Sequence, residues 1–193
     1  MEITKKGFTL KVDKDISYNP NPRDNDDNIG KMYCYHRRYR LGDQNKIDDP
    51  EKFNDWLQEN KENIVCKLPL YLYDHSGICM STTDFNDPWD SGKVGYIVCT
   101  KQDLEKRGYT DKSLDEIETK LKDEVQEYSD YLEGKHTYYY FSIKDEDYTV
   151  LDSCSGFKYE NLKDMLKEMS EYVEEKYTYL FDALLKKENQ NYL

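Results

Sequence analysis

The sequence predicts an α+β protein: a mainly antiparallel sheet, a meander followed by a C-terminal hairpin, with helices packed on it in a single domain over residues 1–193. Three observations carry this expectation. Short segments alternating apolar and polar side chains recur along the chain and are joined mostly by turns. Capping boxes open amphipathic helical stretches between them. No alternation of strand and helix supports a doubly wound parallel sheet.

Residues 7–13 (GFTLKVD) alternate and read as a half-buried strand. The following segment is dense in Asn, Asp and Pro, so residues 19–30 are expected to form a mobile loop. Alternation resumes over residues 31–41 (KMYCYHRRYRL) and stops at Gly42-Asp43. Asp49-Pro50-Glu51 supplies an N-cap, a proline at the first helical position and an acid in the first turn, for a short helix that turns Phe53, Trp56 and Leu57 inward. Residues 64–73 (IVCKLPLYLY) give the clearest strand, in which Pro69 implies an edge or a bulge. Residues 78–82 and 94–100 continue the meander across the polar loop TDFNDPWDSGK.

Thr100-x-x-Asp103 opens a short helix that Gly108 closes, and Ser113-x-x-Glu116 opens a longer one that ends at Gly134. Leu114, Ile117, Leu121, Val125, Tyr128 and Leu132 make its apolar face. Residues 136–143 and 148–152 form a hairpin. A last helix runs from about Asn161 to near Leu185, burying Met165, Met169 and Tyr172, before a frayed tail over 187–193.

Composition bounds the function. Hydrophobic residues make up only 37%, but 19 tyrosines carry much of the apolar area a core needs. The formal charge is −12, divided as +2 over residues 1–45 and −14 over 46–193. Such a field disfavours generic binding to nucleic acid or anionic membrane. Five cysteines without a C-x-x-C pair read as reduced thiols. With no apolar leader at the N-terminus and no long apolar run, the protein is expected in the cytoplasm of its host bacterial cell. No cofactor is expected, because no P-loop, dinucleotide fingerprint or zinc-finger spacing is present.

Four stretches place Gly beside Asp or His at a predicted strand end: Arg40 to Asp43, Asp74 to Gly77, Asp87 to Gly92 and Asp152 to Gly156. Each has the chemistry of an ordinary turn. If one sheet brought them to a common rim, Asp43, Asp74, His75, Asp90 and Asp152 would suit a divalent ion, giving a metal-dependent hydrolase or nuclease. The three histidines show no ligand spacing of their own. Adjacent Asp74, His75 and Ser76 cannot meet as a triad. The run from Tyr33 to Arg40 interleaves bases with aromatics; Tyr35, Arg37 and Tyr39 are candidate binding residues, and direct binding of nucleic acid ranks below arginine pairing with nearby acids. Trp89 is either a contact anchor or, if it lies over the sheet with Phe85, a largely buried pin of its loop. The second alternative is the one the sequence favours.

LYLYDHSG over residues 70–77 and PWDSGKVG over 88–95 resemble a family of proteins carried by bacteriophages and other bacterial mobile elements. RLGD over residues 40–43 and DSCSGF over 152–157 are similar to its flanking motifs, so the resemblance spans about 30–160. The family pattern has Gln where Lys93 stands and Asn where Arg40 stands. It carries no established catalytic residues. The resemblance implies a small acidic accessory protein that acts by binding a host or foreign protein, such as a nucleic-acid enzyme of host defence, in the manner of anti-CRISPR or anti-restriction proteins.

Overall fold

The computed structural model describes residues 1–43, Ile47 and 49–190. In chain order its elements are β1 (Glu2–Lys5), β2 (Phe8–Lys14), β3 (Lys31–Cys34), α1 (Pro50–Glu59), β4 (Ile64–Asp74), β5 (Ile78–Ser81) and β6 (Ser91–Thr100). They continue with α2 (Lys101–Arg107), α3 (Leu114–Leu132), β7 (Tyr138–Lys144), β8 (Val150–Lys158), α4 (Leu162–Ser170) and α5 (Thr178–Gln190). The α+β class is as the sequence predicts. The strands divide into two four-stranded antiparallel sheets, ordered β1-β2-β7-β8 and β3-β6-β4-β5. Two compact units follow: Met1–Asn19 with the chain from His136 onward, and Pro20–Lys135 inserted between β2 and β7. No described helix is long and apolar enough to cross a membrane.

The first unit begins with a hairpin. Lys6 and Gly7 both take positive φ, 53° and 79°, as a two-residue turn matched to strand twist requires, and set Lys5 opposite Phe8. β2 then pairs with β7, Leu10 opposite Ile143, although the whole second unit intervenes in sequence. Leu10, Val12, Phe141, Ile143 and Phe157 from the sheet bury against Met165, Leu166 and Met169 of α4 and Leu180, Phe181 and Leu184 of α5. Asp152 to Gly156 lies inside β8 and ends no strand. Gly156, at φ +95°, is the extra residue of a bulge where Ser155 faces Tyr140 and Phe157 faces Tyr139. The last helix is two, separated by residues 171–177, and Tyr172 is exposed. Of the expected tail, 187–190 belong to α5, and 191–193 lie outside the described residues.

In the second unit, α3 lays Ile117, Leu121, Val125 and Tyr128 over Met32, Leu70, Leu72, Ile97 and Cys99. On the other face Phe53 of α1 packs with Tyr33 and Val98, joined by Trp56 and Tyr96. Both capping boxes form, Thr100 with Asp103 and Ser113 with Glu116, and Asp49 caps α1 through the Lys52 amide. Pro69 precedes the part of β4 that β5 covers, so β6 pairs it on one edge only, and a bulge follows at Leu70/Tyr71.

The Asn/Asp-rich segment is anchored by buried residues at Pro22, Arg23, Ile29 and Gly30, with 24–27 exposed between them. Arg23 is buried, and its guanidinium bonds Asp43 through two nitrogens at 3.0 Å, Glu124 at 3.0 Å and the Gly30 carbonyl at 2.6 Å. Glu124 in turn accepts from the Ile29 and Gly30 amides at 2.6 and 3.3 Å. A buried guanidinium needs such counter-charge. It therefore ties the loop to α3.

Candidate functional site

The motif-bearing turns after β4 and before β6 come together because the end of β4 is flanked by β5 on one edge and by the start of β6 on the other. Tyr73 is opposite Ser91, and the Asp74 amide donates to the Asp90 carbonyl at 2.8 Å. A regular meander would have set these turns at opposite ends of β5. Instead the 82–90 loop folds back, and only one of its aromatics pins it: the Phe85 ring lies 5.5 Å from Tyr73, whereas Trp89 is 91% exposed. The expected burial of Trp89 is thus incorrect. Phe85 alone meets sheet aromatic surface, and the tight turn that follows throws the indole outward.

That turn is held by its own hydrogen bonds. The Asp87 carboxylate accepts from the Trp89 and Asp90 amides at 2.9 and 3.0 Å, and Ser91 Oγ donates to the Asp87 carbonyl at 2.6 Å. The amides of Asp90 and Trp89 hold the Asp87 carboxyl below its ordinary 3.8. His75 Nδ1 meets Asp90 Oδ2 at 2.9 Å, which joins the two motifs directly.

Opposite this turn the chain leaves β3 at Cys34, shortening the strand expected over 31–41. His36 Nδ1 accepts from the amides of Arg38 and Tyr39, both at 3.3 Å, and rolls the backbone out of extension. Arg38 pairs with Asp74, whose other oxygen takes the Tyr39 hydroxyl at 3.1 Å. Between this loop and β6 opens a cleft of about 720 Å³ lined by Tyr35, Arg37, Leu72, Trp89, Gly92 and Val94. Arg37 is exposed and has no ion-pair partner among the described residues. Lys93 is exposed beside it, its ammonium 2.8 Å from the Tyr96 hydroxyl.

No family model, curated protein or solved structure matches the chain.

Three predicted binding residues, Tyr35, Arg37 and Trp89, thus gather at one cleft, while Tyr39 is committed to Asp74 and to the core under α3. Asp74 and Asp90 also line it, and His75 joins Asp90. Asp43 does not join them, being bound to Arg23 and the Met32 amide, and Asp152 lies on β8 in the other unit. Among the described residues no group of three or more His, Cys, Asp or Glu is arranged to hold a metal ion. Ser91 Oγ donates to the Asp87 carbonyl, so among the described residues no hydroxyl or thiol is bonded to the His75–Asp90 pair as a nucleophile. Burial pushes the Cys99 thiol up to about 12, so it stays protonated. Gly92 and Lys93 escape a reading of sequence alone, because their place on an uncovered strand edge is set by where β3 stops.

Proposed function

We propose that this protein acts by binding another protein, with Trp89 as the anchor of the contact and no covalent chemistry of its own. The observation that carries this reading is the exposure of Trp89 on a turn fixed by the Asp87 and Ser91 bonds, where it lines an open cleft. An indole on a fixed turn has only two side-chain torsions to order, so it loses little conformational entropy when a partner covers it.

The charge of −12 argues for the class of partner. It repels polyanions and steers the molecule toward a basic surface. Enzymes that grip nucleic acid present such surfaces. A phage or mobile-element protein that covered one would block a host-defence enzyme, in line with the resemblance carried by the DHSG and PWDSG motifs.

The test begins with a tagged protein recovered from bacterial cells at low salt, followed by reconstitution with the purified partner. The expected result is a complex of simple stoichiometry that weakens as salt rises. Trp89→Ala should weaken it by about thirtyfold or more, the effect of an anchor worth roughly 2 kcal/mol. Recovery of no protein partner, or equal binding by the variant, would count against the reading.

A further inference from the structure

β6 is paired on both edges only along part of its length. β4 runs beside it from Thr100 down to Ser91, but β3 covers Gly95 to Val98 and ends, after which only the Tyr35 amide reaches across to the Val94 carbonyl, at 2.7 Å. Among the described residues, Ser91, Gly92 and Lys93 therefore have no strand on that side. In an antiparallel ladder, successive residues turn their backbone groups to alternate edges. The Asp74–Asp90 bond and the Leu72–Gly92 register direct Gly92 toward β4, which turns Lys93 toward the open edge.

The cleft is the space this missing strand leaves. A Cβ built on Gly92 meets nothing within 4 Å, so the sheet face at that residue is also uncovered. We infer that an extended, carboxylate-bearing segment of the protein partner adds to β6 along Ser91–Lys93 as a short strand continuing the line of β3. This rests on the reading of the cleft as a protein-binding site. The free edge supplies main-chain hydrogen bonds, Arg37 and Lys93 supply charge complementary to a carboxylate, and Trp89 supplies apolar cover at the end of the groove. The edge is about 10 Å long and admits three or four residues. Single-stranded nucleic acid has no use for an open ladder, although its bases would stack on Trp89 and its phosphates would meet Arg37.

The probe is an acetylated, amidated octapeptide of alternating Glu and Val, titrated into the ¹⁵N-labelled full chain, with the Lys/Val peptide and a thymidine oligonucleotide as separate arms. Strand addition predicts that the Glu/Val peptide alone shifts the amides of 91–94 and the Trp89 indole, and that the Lys93 amide exchanges several-fold more slowly. Lys93→Pro removes the outward amide, and proline is tolerated on an open strand edge; this variant should melt close to wild type and lose the shifts. The inference is overturned if no shift at those residues appears up to about 5 mM peptide, where even millimolar binding registers, if the oligonucleotide shifts them more strongly, or if Lys93→Pro binds the peptide as wild type does. Should Trp89→Ala lose the native partner while Lys93→Pro keeps it, strand addition fails and the protein-binding reading survives. Should both variants keep it, both fail.

Discussion

Arg23 shows how much of the second unit hangs on one side chain. Its guanidinium joins Asp43, Glu124 and Gly30, and thereby holds both ends of an irregular segment against α3. Burial raises the Glu124 carboxyl above its ordinary 4.5 despite the adjacent Arg23, so desolvation outweighs attraction there. Glu124→Gln keeps the shape and leaves Asp43 as counter-charge to Arg23, but the Gln amide nitrogen cannot accept the bonds that one Glu124 oxygen takes from Arg23 or the Ile29 amide; a loss of about 1–3 kcal/mol in urea unfolding is expected. A raised acid favours the folded state at low pH and loses that contribution as pH rises through its folded value. The exposed turn and cap carboxylates act in the opposite sense. Asp49 and Glu116 are held below 3.8 and 4.5 by the Lys52 and Ser113 amides, and Asp87 behaves likewise. Their contribution is complete above those ordinary values and is lost as pH falls through the lowered ones. The urea midpoint should therefore decline below pH 4.5, and Asp49→Asn should flatten part of that decline. Trp89→Ala, at an exposed site, should stay within about 0.5 kcal/mol of wild type in the same assay.

At the scale of elements, helices with their stop signals in adjacent residues were legible, and strands whose limits depend on distant partners were less so. Thr100, Asp103 and Gly108 bound α2, and Ser113 and Glu116 open α3, because each cap bond is local. Ser113→Ala should cost about 1 kcal/mol in thermal unfolding, and Leu121→Ala, at a fully buried position of α3, about 2–5 kcal/mol. β1 was missed, since four residues before a Lys-Gly turn become a strand only by pairing with β2. The 31–41 alternation overran β3 because nothing local marks the His36 ring as an acceptor for two amides. A single helix over 161–185 would be roughly 37 Å long, beyond the roughly 30 Å of a nine-residue strand. Breaking it folds α4 and α5 onto the same sheet. At the site, residue types pointed to the DHSG and PWDSG turns, while their meeting depended on β6 taking the inner place beside β4.

For the whole molecule, the pairing of β2 with β7 across the inserted residues 20–135 had no local sequence signature. The crossing at Asn19–Pro20 falls in the Asn-, Asp- and Pro-rich segment that reads as a loop, and the one at Lys135–His136 follows the Gly134 helix stop, so neither is distinguishable in sequence from a loop within one domain. The inserted unit holds its own sheet, its own helices and the buried Arg23 cluster. Expressed alone, residues 20–135 should unfold cooperatively by circular dichroism and keep the Trp89 cleft; a fragment without a cooperative transition would show that its core needs the rest of the chain. The central claim is that this unit meets a protein partner at the cleft between the 35–38 loop and β6. Amide hydrogen exchange on the purified complex tests it most directly. The account predicts protection on binding concentrated at 35–38 and 89–94, greatest at Lys93, with α3 unchanged. Protection confined to α3 or to the other unit, with those two segments exchanging as in the free protein, would contradict it.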